Sequence, residues 1–252
     1  MKKITALILL AAMLLSLAAC GNNPSAGGAE PTPTPETSDV PPSEPPEETP
    51  AETDETDAEM SGQAGEPEAP SEPVLGVYHA DSNTYENELL GLGCRLEEDW
   101  RVYDADEIAE LNGLISDMVT DEAVAEMLES SGYVQAFYAQ LGDDPVTVNI
   151  TVENLGLLYG ALLDEREYAE LAVEQLPAAF DAMGMTDVNT EIKSTTFMGS
   201  EHTAVFITGQ VQEIDLYEVL VCVKAGRYMA CVTAASYLAD VTGDVLDMFY
   251  CL

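Results

Sequence analysis

Hydrophobic positions divide the chain into three regions with different patterns. Residues 4–19 form an apolar run that only Thr5 and Ser16 interrupt, and residues 21–75 contain few large hydrophobic side chains. From Gly76 to Leu252 the hydrophobic positions recur with the periods of helices and strands. The pattern predicts that residues 76–252 form a single globular domain, because a segment of that length can bury one substantial hydrophobic core.

Helix signals occur at several places in this domain. Asp104 followed by Glu107, and Asp164 followed by Glu167, are capping boxes that precede apolar stripes with helical spacing. Pro177 should kink or divide the helix that follows the second box, because proline cannot donate the backbone hydrogen bond of a helix interior. The predicted helices are Asp104–Thr120, Asp121–Ser130, residues 164–183 and Thr242–Tyr250.

Strand signals dominate the middle and the last third of the domain. Apolar and polar residues alternate strictly over Val146–Val152, which is typical of a strand with one buried face. Residues 219–223 are apolar on both faces, so both faces of the sheet should be covered. The predicted strands, after an opening hairpin that ends at Trp100, are Tyr133–Leu141, Val146–Val152, Val188–Thr196, Thr203–Val211, Tyr217–Val223 and Tyr228–Ala235. This order predicts an α+β fold with an antiparallel sheet sandwiched by helices.

The opening hairpin carries a motif. It reads Asn83-Thr84-Tyr85-Glu86-Asn87, then Leu92-Gly93-Cys94-Arg95-Leu96, then Trp100. This run resembles the first hairpin of PsbP/Mog1-like domains, and the element order over residues 78–250 is compatible with that family and with lipoproteins of anaerobic Firmicutes that share the domain. Glu98-Asp99 stands where the family pattern has a proline before the tryptophan. The resemblance implies a protein-binding module, and no partner-contacting residue can be transferred from it.

The first twenty residues form a separate unit. Lys2 and Lys3 precede the apolar run, which is shorter than the roughly 20 residues that a transmembrane helix needs. The run ends in Leu17-Ala18-Ala19-Cys20, which resembles the lipobox of bacterial lipoproteins. The resemblance implies that residues 1–19 are a signal peptide, and that a diacylglyceryl group on the Cys20 sulfur anchors the protein on the extracytoplasmic face of the cell membrane. The alternative is an ordinary secretory signal whose cleavage site happens to contain a cysteine.

Residues 20–75 are predicted to be a lipidated cysteine followed by a disordered linker. Gly21–Leu75 holds 12 of the 14 prolines and 14 acidic residues, and it has no basic or aromatic residue. Such a segment cannot bury enough apolar surface to offset the entropy of ordering. It is expected to act as a stalk, and the alternative is a binding role for its repeated Pro-Thr or Pro-Glu elements.

The charge of the chain limits its partners. The sequence contains 47 acidic and 8 basic residues, and residues 76–252 alone contain 33 acidic and 6 basic ones. The negative field repels nucleic acid and anionic lipid, so no nucleic-acid partner is expected. Solubility explains the acidity, with cation binding as the alternative.

Four cysteines remain besides Cys20, and their disulfide pairing is left open. Cys222 and Cys231 flank a tight turn at residues 225–226. If residue 224 lies opposite residue 227, the two cysteines sit diagonally across the hairpin, which is poor disulfide geometry, and they are expected to be buried thiols. A bridge between Cys94 and Cys251 is the other alternative. The chain has no CxxC motif, so the sequence supports neither a zinc site nor a dithiol redox site.

Candidate catalytic chemistry is sparse. His79 and His202 are the two histidines, and each is expected to be an ordinary polar residue. Helix caps and a turn account for the carboxylate clusters, which are Asp104/Asp106/Glu107, Asp143/Asp144 and Asp164/Glu165/Glu167. Four aromatic residues are expected in the core or, alternatively, in a pocket: Tyr133, Phe137, Tyr138 and Tyr159.

The sequence therefore predicts a lipoprotein with no catalytic residue, no metal site and no cofactor. Its expected partners are the membrane, through the lipid on Cys20, and an envelope protein, which makes it a protein-binding or envelope-assembly module. The alternative is a receptor for a small ligand whose binding residues the sequence does not identify. A hydrolase that uses paired carboxylates is the third hypothesis.

Overall fold

The computed structural model describes residues 74–114 and 120–252, apart from the side chains of residues 121 and 122. Within these residues no helix is long and apolar enough to cross a membrane. The predicted signal peptide, Cys20 and almost all of the predicted linker lie outside the described residues.

The described residues form eleven strands and six helices, in runs of four strands, two helices, two strands, three helices, four strands, one helix and one strand. The strands are β1 (Val77–His79), β2 (Thr84–Asn87), β3 (Leu92–Arg95), β4 (Trp100–Val102), β5 (Tyr133–Leu141), β6 (Val146–Asn154), β7 (Met185–Phe197), β8 (Ser200–Val211), β9 (Ile214–Ala225), β10 (Tyr228–Tyr237) and β11 (Phe249–Cys251). The helices are α1 (Ala105–Leu111), α2 (Asp121–Ser131), α3 (Gly156–Leu162), α4 (Glu165–Val173), α5 (Leu176–Met183) and α6 (Thr242–Leu246).

Two antiparallel sheets organise the domain. The large sheet has seven strands in the order β4-β5-β6-β10-β9-β8-β7, and the small sheet has four in the order β1-β2-β3-β11. The predicted α+β class with antiparallel strands is confirmed. The small sheet adds a layer that the prediction did not include, because the opening hairpin pairs with the C-terminal strand β11.

Each face of the large sheet is covered by its own apolar cluster. On the first face, side chains of the small sheet, α2 and α6 pack against alternate residues of β5, β6, β9 and β10. The rings of Tyr85 and Phe137 stack there with their centroids 4.3 Å apart. On the second face, Tyr168, Leu176 and Phe180 from α4 and α5 pack against β8 and β9. Each fully buried apolar side chain of this size contributes about 1.5–3 kcal/mol, so burial on both faces stabilises the sheet. Strand β6 is an exception on the second face, to which it presents Thr147, Asn149, Thr151 and Glu153.

The predicted helix ends are correct where a cap sets them. Both capping boxes form, at Asp104 with Glu107 and at Asp164 with Glu167. Pro177 divides the long predicted helix, since α4 ends at Val173 and α5 begins with Pro177 in its first turn.

Two predicted helices are longer than the structure has them. The first ends at Leu111 because Asn112 exchanges hydrogen bonds of 2.7 and 2.9 Å with the backbone of Gln135 and draws the chain onto β5. Part of its predicted remainder, residues 115–119, lies outside the described residues. The terminal helix ends at Leu246, because Phe249–Cys251 pairs with β3 as a strand. Helix α3 was not predicted.

The predicted register of the β9–β10 hairpin is wrong by one residue on each strand. Ala225 lies opposite Tyr228 across a two-residue turn at Gly226-Arg227, and this register places Cys222 directly opposite Cys231. Directly opposed residues in an antiparallel pair have Cα atoms about 4.5–5.5 Å apart, within the range of a disulfide. Cys94 lies opposite Phe249, so Cys251 is its diagonal neighbour at about 7–8 Å, which disfavours that alternative bridge.

The four cysteines that the structure describes are free thiols, and oxidation tests the register. After refolding under oxidising conditions we expect a Cys222–Cys231 disulfide, detected by mass spectrometry after blocking free thiols. Closing so short a loop should raise the free energy of unfolding by about 2–3 kcal/mol. The Cys94→Ala/Cys251→Ala variant is the control and should still form the bridge. A Cys94–Cys251 bridge instead would contradict this register.

Candidate functional site

His202 belongs to a cluster that fastens α4 to the large sheet. Its Nδ1 lies 2.8 Å from Oε1 of Glu165, and the pair is mostly buried. Glu165 also accepts hydrogen bonds from the backbone N–H of Thr203 at 3.0 Å and of Lys224 at 3.2 Å. The carboxylate is therefore shared by β8, β9 and α4, and its contacts indicate a structural role. The sequence analysis had assigned Glu165 to the helix cap.

The second histidine and the carboxylate clusters that the sequence analysis considered are exposed or bound locally. His79 makes an exposed pair with Glu86, with Nε2 and Oε2 3.5 Å apart. Asp143 and Asp144 lie exposed in the turn between β5 and β6. The aspartates of the two capping boxes accept hydrogen bonds from backbone N–H groups in the first turns of α1 and α4.

Two buried carboxyl groups were missed by the sequence analysis. Glu153 and Glu218 are each 2% exposed, and burial raises the pKa of each to about 7. Glu153 accepts a hydrogen bond of 2.7 Å from the Tyr168 hydroxyl, which lowers its pKa slightly. The sequence did contain a signal for Glu218, since Leu216 and Leu220 flank it at the same-face positions of a strand.

The two buried carboxyl groups are far apart. Glu153 lies opposite Met229 and Glu218 opposite Ala235, so six residues of β10 separate them. At the rise of a β-strand this is about 20 Å. A glycosidase-type pair needs carboxyl groups about 5–9.5 Å apart, so these two do not form one.

A cleft of about 460 Å³ opens between β1, α1 and the first face of the large sheet. Phe137 lines it, but Tyr138 lies on the opposite face against Tyr103 and Tyr159 is exposed on α3. The four aromatic residues therefore do not line one pocket. The polar groups of the cleft are already bonded, for example the Tyr85 hydroxyl to the carbonyl of Leu75 at 2.8 Å. Its lining is otherwise mainly apolar.

Helix α3 carries an exposed apolar surface. Four of its seven side chains are large, hydrophobic and more than half exposed, and we call them the α3 surface: Leu157 (69%), Leu158 (66%), Tyr159 (55%) and Leu162 (65%). The helix touches the sheet through Gly160, where a Cβ atom would lie 2.7 Å from the Cα of Arg227. Two hydrogen bonds tie the ends of α3 to the β9–β10 hairpin. The backbone N–H of Leu155 donates to the carbonyl of Arg227, and the Lys224 ammonium donates to the carbonyl of Leu163.

Basic residues are concentrated around this helix. Residues 76–252 contain six, and three of them, Arg166, Lys224 and Arg227, lie near α3 in sequence or in contact. Arg227 forms an ion pair with Glu129 at 2.7 Å, and Arg166 pairs with Glu170 at 3.1 Å. The basic side chains near α3 are thus already bound, two to carboxylates and Lys224 to a backbone carbonyl.

Comparison with known proteins gives little to extend this description. No protein-family model matches the chain, and no curated protein matches it. A search of solved structures finds a likeness to LpqN, described as involved in cell envelope biogenesis of Mycobacterium tuberculosis. The identity is 8% and the TM-score 0.34, over 63% of this chain and 82% of the LpqN chain. A likeness at this level assigns neither a family nor a role to this chain, and the resemblance to PsbP/Mog1-like domains stays a prediction.

The two buried carboxyl groups predict the pH dependence of stability. Their folded pKa near 7 exceeds the ordinary value of 4.5, so the folded state holds these protons more tightly than the unfolded state. Their contribution to the free energy of unfolding is complete below pH 4.5. It is lost as the pH rises through 7, by about 3 kcal/mol for each group.

Glu218→Gln should remove about half of this loss, because glutamine does not ionise. Urea unfolding of the wild type and the variant between pH 5 and 8 measures the difference, with the exposed Glu98→Gln as the control. If the free energy of unfolding depends on pH identically in the wild type and in Glu218→Gln, ionisation of Glu218 does not destabilise the folded protein.

Proposed function

We propose that this chain is an extracytoplasmic lipoprotein whose folded domain binds a protein of the cell envelope and catalyses no reaction. The anchor rests on the sequence, where Cys20 directly follows Leu17-Ala18-Ala19 at the end of an apolar run. Two acyl chains on that cysteine suffice for stable membrane attachment. The proline-rich linker, fully extended, would let the domain reach at most roughly 170 Å from the membrane.

The α3 surface is the observation that carries the binding function. Large exposed apolar patches are uncommon on soluble proteins and mark interaction sites. A short helix that presents Leu157, Leu158 and Leu162 suits the mode in which a helix lies in a hydrophobic groove of a partner. Leucine side chains this exposed add nothing to the core, so folding alone does not explain them.

Charge favours a protein over a lipid surface as the occupant. The domain carries 33 acidic and 6 basic residues, so an anionic bilayer would repel it. We therefore assign the α3 surface to an envelope protein with a hydrophobic groove that receives this helix.

The geometry favours binding over hydrolysis. A carboxylate hydrolase needs two acids that converge on one cleft, but Glu153 and Glu218, whose pKa values burial raises, lie about 20 Å apart. Among the described residues His202 faces a carboxylate whose oxygens are already bonded to backbone amides. Neither arrangement provides a nucleophile with its base.

Replacement of the anchoring residue tests the membrane attachment. Cys20→Ser should move the protein from the membrane fraction to the soluble extracytoplasmic fraction and abolish the lipid-modified N-terminal peptide seen by mass spectrometry. Cys251→Ser, which alters an exposed thiol at the other end of the chain, is the control and should leave both unchanged. A Cys20→Ser protein that stays with the membrane would refute the anchor.

Site-specific photo-crosslinking tests the α3 surface in intact cells. A crosslinker at Leu158 should yield one discrete adduct with an envelope protein, and Leu162→Glu in the same chain should reduce it at least tenfold. The melting temperature should change little, because Leu162 is 65% exposed. A crosslinker at Leu238, which is 71% exposed elsewhere in the domain, is the matched control and should not give the adduct. Adducts only with lipid, or only with a second copy of the chain, would contradict the proposal.

A further inference from the structure

The two sheets have four edge strands, and one of them differs from the others. Strands β1, β4 and β11 are each three residues long, whereas β7, the last strand of the large sheet, has thirteen residues. A very short edge strand hinders pairing with another chain, but a long one offers a row of backbone N–H and C=O groups. Among the described residues no strand pairs with the outer edge of β7.

Most of β7 is a regular strand. A bulge and the left-handed backbone of Asp187 (φ 52°) disturb only its first residues. From Asn189 to Phe197 every residue lies opposite one residue of β8, and we call the outer edge of this stretch the β7 edge. Eight of the thirteen residues of β7 are exposed, and only the two end residues are buried. The β7 edge contains no proline and spans about 30 Å, so it is suited to pairing with a further strand.

The two charged residues of the β7 edge form a pair within the strand. The Lys193 ammonium lies 2.7 Å from a carboxyl oxygen of Glu191, two residues earlier on the same face. A lysine on an edge strand normally discourages pairing through its charge. Here Glu191 neutralises that charge, so the centre of the β7 edge has no net charge although the domain is strongly acidic.

The sequence of the β7 edge is complementary to itself. Two identical strands pair antiparallel about a two-fold axis that is perpendicular to the sheet and passes through one residue, because opposed side chains then share a face. An axis at Ile192 places Glu191 of each copy opposite Lys193 of the other, so two ion pairs form across the axis. The other opposed residues are polar pairs that can form hydrogen bonds: Thr190 with Ser194, and Asn189 with Thr195.

Other positions of the axis give poorer pairing. An axis at Glu191 or at Lys193 places that residue opposite its own copy, so like charges meet. An axis at Thr190 requires Asp187 to pair with Lys193, but Asp187 lies in the bulge. An axis beyond Lys193 leaves the ammonium without an opposed carboxylate. The charges and the bulge together therefore select the axis at Ile192.

Ile192 also adds an apolar contact at the axis. It is partly buried against the cluster under α4 and α5. Directly opposed residues of an antiparallel pair have Cα atoms about 4.5–5.5 Å apart, so the two Ile192 side chains would touch. The apolar cluster of one domain would thus continue into that of the other.

The net negative charge of the domain opposes the association of two copies. Exposed charges further apart than about 8 Å are largely screened at physiological ionic strength. The charges that meet at the β7 edge are attractive, and they are the ones close enough to act. A strand from a different protein would need its own complementary sequence, whereas a second copy already has it.

We propose that two copies of this chain associate through the β7 edge, antiparallel about a two-fold axis at Ile192, so that two seven-stranded sheets join into one. This interface is separate from the α3 surface, since α3 packs on β10, three strands away from β7. A failure of either proposal therefore leaves the other intact.

A mixed disulfide tests the register in intact cells. Two full-length copies with different tags, both carrying Cys251→Ser, are expressed together, one with Thr190→Cys and the other with Ser194→Cys. Oxidation should join the two tags, because these residues are directly opposed in the proposed register. Thr190→Cys alone should give little dimer, since two copies of residue 190 are offset by four residues, about 13 Å. Leu238→Cys in both copies is the control for chance collisions, because Leu238 is 71% exposed in the turn after β10.

Reversal of charge tests the ion pairs. Lys193→Glu and Glu191→Lys, each expressed alone with two tags, should reduce co-isolation of the tags at least tenfold, because like charges then meet across the axis. Expression of one variant with the other should restore it, because every opposed pair again has opposite charges. Both side chains are about half exposed, so the melting temperature should change little. The exposed Glu98→Lys, which makes the same change of charge outside β7, is the control and should co-isolate like the wild type.

Three results would overturn the proposal. One is the absence of both the mixed disulfide and the co-isolation of two wild-type copies. Another is a failure of the two charge variants to associate with each other. The third is a disulfide of the Ser194→Cys chain with a different protein only, which would assign the β7 edge to a foreign strand.

Discussion

The register of three central strands, β6, β10 and β9, determines where nearly every buried side chain of the domain lies. All ten residues of β10 are buried, so neither of its faces can be left to solvent. One face therefore takes the small sheet with α2 and α6, and the other takes α4 and α5. A slip of one residue would exchange the two faces and move Glu218 and Cys222 into the wrong core, which is why the register is strongly specified.

Buried polar groups in this domain fall into two kinds. Glu165 and Glu153 are each matched, by backbone amides and His202 in the first case and by Tyr168 in the second, and both join α4 to the sheet. Glu218 and Thr233 have no side-chain hydrogen-bond partner among the described residues, and Asn149 is bonded only through its Oδ1, which accepts from Gln135 Nε2 at 3.5 Å. Matched groups stabilise a particular packing, whereas unmatched ones reduce stability. The contacts of Glu165 and Glu153 therefore fix α4 on the sheet, whereas the burial of Glu218 lowers the stability of the fold.

The parts of the fold that were predictable from the sequence are those with local signals. The capping boxes and Pro177 act within one turn of helix, so their positions follow from spacing alone. Helix α3 has no cap and presents its leucines to solvent, so no amphipathic period distinguishes it. Strand β11 exists only through its pairing with β3, more than 150 residues earlier in the chain. The burial of Glu218 likewise depends on the packing of both faces of β9, although a glutamate in an apolar strand was a usable sign.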